Sequence, residues 1–321
     1  MPGSMATLAM ARRYFQLFVN RAAYTLQSHR PDNGGKYYYY RPKGDQRLTP
    51  ETILKHLNGQ ITVALYAINP ATQRSKWVAI DGDYAAAFED LLKLQVTLRK
   101  DGVYSALERS RRGAHLWLLA ADPLLASDCR LYIYNVARRL GVPVKLTGKS
   151  DGIEVFPRQD KVDANEFGNA IRGPLGIHRG AGRRYWFYGA NFNTQAQLVF
   201  LERLPKITEL QMSALVTGLS MPEDLRPRPA LVLPPYDPTR LEFRILDHVP
   251  QGRRSGKDYR TRCPSCGSAD KNNEHLAISI ADPRKYRCWA GCTKEQIRAA
   301  LGCPIKYSPR GDTWQNNRTR A

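Results

Sequence analysis

The chain's 321 residues, 42% apolar and 24% charged, suit a globular protein with room for one large domain and a small one. Its 49 Lys and Arg outnumber 29 Asp and Glu, a formal charge of +20, which points to a polyanionic partner, nucleic acid before any other. No run approaches the ~20 apolar residues of a membrane span and no apolar signal core opens the chain, so a cytoplasmic protein with no membrane partner is expected; Met1 to Met5 reads as an appended leader.

In chain order, the four tyrosines at 37–40 read as an edge strand with aromatic packing. Residues 61–67 and 77–80 are short apolar runs rich in β-branched and aromatic residues and predict buried strands. Residues 84–100 carry Leu91, Leu94 and Leu98 on one stripe and stop at Asp101-Gly102, which predicts a helix. Strands over 103–107 and 115–120 follow, joined as a hairpin across 109–113. After them come a helix over 126–140, a strand over 153–156 and two helices within 193–218. Six prolines between 221 and 238 predict an extended linker, followed by a short helix around 241–248. The expected organisation is an α+β catalytic domain over 11–220, a Pro-rich linker over 221–239, a small basic domain over 240–302 and a disordered tail over 303–321.

Asp81-Gly82-Asp83 stands at the end of the strand 77–80, where residues i and i+2 turn to the same side. Two carboxylates that close repel unless a divalent cation lies between them; an exposed Asp-Gly turn is the plainer alternative. Glu154 lies on the apolar strand 153–156, where an unpaired carboxylate is costly. His115 sits behind the basic, glycine-bearing turn Arg111-Arg112-Gly113-Ala114, placed to reach a phosphate. Arg158, Arg172, His178, Arg179, Arg183 and Arg184 follow Glu154 within 30 residues. Three carboxylates with phosphate-binding cations are what two-metal phosphoryl chemistry needs. Asp81, Asp83 and Glu154 are therefore the candidate catalytic residues. His115, Arg112, Arg172, His178 and Arg179 are the candidate nucleotide-binding ones.

In this order and spacing the motifs resemble those of the archaeo-eukaryotic primase superfamily, in particular its bacterial, plasmid and phage primase-polymerase branch. That family has an acidic pair after a strand, matched by Asp81 and Asp83, then a turn histidine, matched by His115, then a third acid in a strand, matched by Glu154. Residues 48–66, 154–159 and 168–179 resemble the blocks around those motifs, and the likeness spans about residues 11–190. The second motif reads Gly113-Ala114-His115 without the family's serine, which leaves a backbone amide or Arg112 to make that phosphate contact. The resemblance implies a primase-polymerase catalytic domain with an RRM-like mixed sheet, and Mg²⁺ or Mn²⁺ held by Asp81, Asp83 and Glu154. It implies attack of a 3′-hydroxyl on the α-phosphate of an incoming nucleoside triphosphate gripped by His115, Arg172 and His178. A DNA primase-polymerase of a mobile element, making short primers on a single-stranded DNA template, is the expected function. No G-x-x-x-x-G-K-[ST] motif occurs, so a replicative helicase encoded separately is the expected partner.

Cys263-Pro-Ser-Cys266 and Cys288-Trp-Ala-Gly-Cys292, 21 residues apart, have the spacing of a tetrahedral Zn²⁺ site of four thiolates; His275 is a substitute ligand. Residues 275–280 and 286–287 predict a small antiparallel ribbon between the knuckles. The segment resembles the zinc-binding modules of bacterial primases. From 240 to 321 there are 17 Lys and Arg against 8 Asp and Glu. Arg253, Arg254, Lys257, Arg260, Arg262, Arg284, Lys285 and Arg287, with Tyr259, Tyr286 and Trp289, suit a single strand's phosphates and bases, beside a purely structural role for the metal. A tyrosine-dependent nicking enzyme needs a His-x-His pair that none of the six histidines forms. A zinc-dependent DNA-binding replication initiator or regulator without polymerase activity leaves the acid trio unexplained, and a nuclease using the same carboxylates would shorten its substrate rather than lengthen it.

Overall fold

Helix caps and period-two alternation position almost everything that matters for the site. The computed structural model describes residues 5–44, 46–145, 151–225, 243–266 and 274–305, and the chain divides into two units, Met1–Pro227 and Arg228–Ala321. Residues 1–4 of the expected leader, most of the expected linker and most of the expected tail lie outside the described residues.

The first unit opens with α1 (Leu8–Phe18), whose N-cap Thr7 accepts from the Met10 amide. Strand β1 (Tyr24–Gln27) pairs with β2 (Tyr39–Tyr40), which forms the sheet edge expected of the tyrosine run. Helix α2 (Pro50–Leu57) starts on Thr49 with Pro50 in its first turn and leads to β3 (Val63–Tyr66), β4 (Arg74–Gly82), α3 (Ala87–Lys100), β5 (Ala106–Arg109), β6 (Ala114–Leu125), α4 (Ala126–Arg139) and β7 (Ile153–Phe156). Strand β8 (Ala170–Arg172), the short pair β9 (Ile177–His178) and β10 (Arg183–Arg184), and helices α5 (Thr194–Arg203) and α6 (Glu209–Val216) complete it.

Two four-stranded sheets result, in the orders β2-β1-β3-β8 and β5-β6-β4-β7. In the second, the run β4-α3-β5-β6-α4-β7 is the split βαβ arrangement of RRM-like sheets. Its ladders are all antiparallel rather than mixed, because each helical crossover carries the chain past a neighbour and parallel strands never sit side by side. Alternation along these strands builds two cores. Val78, Ile80, Leu107, Leu116, Leu118, Ile153 and Val155 pack with Leu91 and Leu94 of α3 and Ile133 of α4. Trp77, Ala79, Ala106, Trp117, Leu119 and Phe156 point the other way and pack with Val63, Leu65 and Ile171 of the first sheet.

The segment Arg172-Gly173-Pro174-Leu175-Gly176 wraps His56, which is fully buried; a Cβ on Gly176 would lie 1.9 Å from His56 Cε1. His56 Nδ1 accepts from the Val63 amide at 3.1 Å and Nε2 lies 3.1 Å from the Pro174 carbonyl, so the ring is held neutral with its proton on Nε2. Burial, with Arg172 and Arg184 nearby, pushes its pKa down to about 4. A histidine whose folded pKa lies below its unfolded value stabilises the fold above pH ~6.5 and loses that contribution as pH falls toward 4. The wild type should therefore lose on the order of 3 kcal/mol across that window in chemical denaturation, and a His56→Gln variant should show a flatter pH dependence there.

The second unit is a four-stranded antiparallel meander of β11 (Arg253–Ser255), β12 (Asp258–Thr261), β13 (Leu276–Ser279) and β14 (Tyr286–Cys288), followed by α7 (Lys294–Ala300). Its core is small: Ile245, Leu276, Ile278 and Ile297 with Cys263 and Cys288. The helix expected around 241–248 is a 3₁₀ turn at Ile245–Asp247, and α7, capped by Thr293 and Gln296, was not anticipated. No helix among the described residues is long and apolar enough to cross a membrane.

Candidate active site

The registers of the second sheet align four polar residues in one row. Asp81 on β4 stands opposite His115 on β6 and opposite Glu154 on β7, and His115 stands opposite Glu108 on β5. Because these residues continue the alternation of Trp77, Ala79, Trp117 and Phe156, the row Glu108–His115–Asp81–Glu154 faces the first sheet, just beyond the end of the apolar core. The strand expected at 77–80 runs on to Gly82, so Asp81 belongs to the sheet and Asp83 follows it. Gly82 points to the other face, where a Cβ would meet that of Ala87 at 2.8 Å; a Cβ on Gly113 would meet the Gly82 carbonyl at 2.0 Å. Glycine in both motifs is what lets the β4–β6 end close beneath α3.

The row opens into a cleft of about 620 Å³ that Asp81, Asp83, Glu154, His115, Arg111, Arg112, Arg172 and His178 line on one side, with Lys36, Tyr37 and Tyr39 on another. Of the candidate residues, Arg179 alone is not brought there. Its guanidinium donates to the Gly59 carbonyl at 2.9 Å, an acceptor left over just past the C-terminus of α2.

Each acid has a cationic neighbour. Asp83 pairs with Arg112. Glu154 contacts Lys145 at 2.8 Å and Arg158 at 3.1 Å. Asp81 Oδ1 lies 3.3 Å from His115 Nε2, buried and without a hydrogen bond. His115 Nδ1 meets Glu108 Oε2 at 3.1 Å. Burial alone would lower the His115 pKa, but the carboxylates of Asp81 and Glu108 outweigh it and push it up to about 9, so the ring is an imidazolium at neutral pH. Glu108 is fully buried. It also takes the Arg172 guanidinium at 2.7 Å and the Trp117 indole N–H at 3.3 Å. Burial would raise its carboxyl, yet Arg172 and His115 hold it below the usual range. His178 Nδ1 accepts from the Ala181 amide at 3.1 Å. Burial and the Arg172 charge push its pKa down to about 4, so it offers the cleft a neutral ring with its proton on Nε2.

Three carboxylates on one wall, with an orphaned buried oxygen on Asp81, form a donor set that fits hard divalent cations. Among the described residues, the set of three or more ligand groups within 4.8 Å of one another is Cys263, Cys266, Cys288 and Cys292. Cys266 and Cys288 place their sulfurs 3.7 Å apart, close to the edge of about 3.8 Å that a tetrahedron with Zn–S bonds of ~2.3 Å requires. The four thiols close the set without His275. On the solvent face of the same sheet, β-pairing aligns Arg253, Arg260, Ala277 and Arg287. Trp289, 54% exposed, lies 5.5 Å from the Arg260 guanidinium and 4.7 Å from that of Arg287. Tyr259 and Tyr286 instead pack against the core, so Trp289 is the ring this face offers.

A family profile described as TOTE conflict system, Archaeo-Eukaryotic Primase domain, matches residues 15–215. Among curated proteins, none matches the sequence. Similar solved structures include the catalytic domain of primase Repb′ in complex with initiator DNA, at 12% identity and a TM-score of 0.34, covering 65% of this chain and 91% of that one. The AEP domain of the cyanophage S-2L primase-polymerase overlaps at 10% identity and a TM-score of 0.35, covering 63% and 100%. The polymerase domain of Mycobacterium tuberculosis Ligase D in complex with DNA overlaps at 11% identity and a TM-score of 0.29, covering 65% and 87%.

Proposed function

Because the chain belongs to the archaeo-eukaryotic primase domain family of TOTE conflict systems, and so carries a primase-like nucleotidyltransferase domain, we propose that it is a DNA primase-polymerase that builds short primers on single-stranded DNA. The observation that carries this reading is the row His115–Asp81–Glu154, with Asp83 beside it and Glu108 buried behind His115, on the wall of a cation-lined cleft.

Asp81, Asp83 and Glu154 are the residues that would hold Mg²⁺ or Mn²⁺. Such ions, when bound, activate the attacking 3′-hydroxyl and neutralise the leaving pyrophosphate. The His115 imidazolium donates to a triphosphate oxygen, kept charged and oriented by Glu108 and Asp81. His178, which also lines the cleft, offers a neutral Nε2–H. Arg112 passes from Asp83 to a phosphate once a cation takes up the Asp83 charge. The test is primer-free synthesis with single-stranded DNA, labelled nucleotides and Mg²⁺ or Mn²⁺. Short labelled products support initiation. Extension of a supplied primer alone reduces the reading to a polymerase, and a shortened template turns it into a nuclease.

In the second unit the four thiolates hold Zn²⁺, and the Arg253–Arg260–Arg287 face with Trp289 meets phosphates and a base of the single strand. A core this small depends on the metal for its stability. Metal analysis should return one zinc per chain, and Cys266→Ser should abolish it, with rapid proteolysis of the second unit and an intact first unit. Full zinc in that variant would rule out the four-thiolate site.

A further inference from the structure

A second concavity in the first unit has no part in the site described above. It is a cleft of about 460 Å³ whose lining includes Tyr24, Arg41, Lys43, Arg47 and Phe167 and, among the described residues, no acid. The Arg41 guanidinium lies 4.2 Å from the Phe167 ring centroid, and Arg21 approaches the same ring at 5.2 Å while donating to the Glu166 carbonyl. Phe167 thus holds the Arg41 guanidinium by a cation–π contact, which leaves its N–H groups for an anion. Arg41, Lys43 and Arg47 are exposed, and none pairs with a carboxylate among the described residues. In the first cleft, by contrast, Arg112 is paired with Asp83 and Arg172 with Glu108.

Placement matters as much as charge. One chain segment serves both clefts, with Lys36, Tyr37 and Tyr39 lining the first and Arg41, Lys43 and Arg47 the second. Strand β1 joins them too, with Gln27 in the first cleft and Tyr24 in the second. Three residues of strand span about 10 Å at ~3.3 Å each, a distance that a few nucleotides of a single strand cover. We propose that the second cleft is a phosphate-binding subsite for single-stranded DNA, holding the backbone of a strand whose reacting part lies in the first cleft. This rests on the polymerase reading for the strand's identity. The ligand chemistry, a run of phosphodiesters on three exposed cations that no carboxylate among the described residues pairs, follows from the cleft itself.

The test is binding of labelled oligodeoxythymidylates of increasing length to the full chain without divalent metal, over a salt series. The variants are Arg41→Gln/Lys43→Gln/Arg47→Gln and the charge-keeping Arg41→Lys/Arg47→Lys. In the wild type, affinity should rise as the oligomer becomes long enough to reach both clefts. The glutamine variant should lose that gain, by roughly tenfold or more at low salt. Its slope of log K against log salt should be shallower by about 2, three phosphate contacts at ~0.7 each on a single strand. The lysine variant should keep the wild-type slope. Equal length dependence and equal slopes in wild type and glutamine variant overturn the proposal, and so does a lysine variant as impaired as the glutamine one. Failure of the polymerase reading appears separately, as absent synthesis by a wild type that still shows the length-dependent binding.

Discussion

Asp81→Asn should reduce nucleotide incorporation on a supplied primer by at least about a thousandfold, the scale expected when a metal-holding carboxylate is removed from phosphoryl transfer. The protein should stay folded, with a melting midpoint within about 5 °C of wild type. The reason lies in the position of Asp81. It is the central member of the row, facing His115 on one side and Glu154 on the other, and its Oδ1 is buried with no hydrogen bond. Asparagine preserves the shape and removes the charge that the row is arranged around. Asp83→Asn should give a similar loss, since its carboxylate reaches the same cleft. Primer extension kinetics beside circular dichroism melts check both. Activity within tenfold of wild type in either variant would remove that carboxylate from the metal-holding set.

Glu108→Gln should be the most destabilising conservative change in the molecule. Glu108 is fully buried and joins Arg172 and His115, two cations that are themselves almost wholly buried. Neutralising it leaves Arg172 without a counter-charge and His115 with Asp81 alone, and breaking a buried pair in this way costs about 3–5 kcal/mol. For a unit of this size that is a fall of roughly 6–20 °C in melting temperature. The double change Glu108→Gln/Arg172→Met should cost less than the sum of the single changes, because the second substitution removes the stranded charge. Additive losses would show that the pair is not energetically coupled.

Glu108 also marks the boundary of what the sequence makes legible. Asp81, Asp83, His115 and Glu154 could be picked out because the signal is local: each acid or histidine interrupts, or directly follows, an apolar strand. The strand Ala106-Leu107-Glu108-Arg109 looks like a polar strand end, and nothing local says that its glutamate is buried. The partner that makes burial tolerable, Arg172, lies 64 residues further on. For the same reason Arg172 reads from sequence as a free phosphate ligand, whereas its guanidinium is committed to Glu108. Arg179 reads as a cleft residue because it follows His178, yet the turn after β9 directs it to the end of α2. Side-chain direction in a short irregular stretch depends on tertiary neighbours, which periodicity does not encode. The thiol cluster was readable in full, since two knuckles at fixed spacing carry their geometry with them.

The alternation that places the row on the inter-sheet face also acts as an internal proofreading device during assembly. Side chains of a strand repeat every two residues, so a β4 slipped by one position would turn Asp81 toward α3 and α4 and bring Ile80 and Gly82 to the cleft. A slipped sheet would then bury an uncompensated carboxylate against Leu91 and Leu94 while exposing isoleucine to water, at a cost of several kcal/mol. Asp81, His115 and Glu154 therefore also disfavour a one-residue slip of their own sheet. Removing their charge should make the wrong register easier to reach, so the Asp81→Asn variant is the one in which slow, heterogeneous refolding is to be sought.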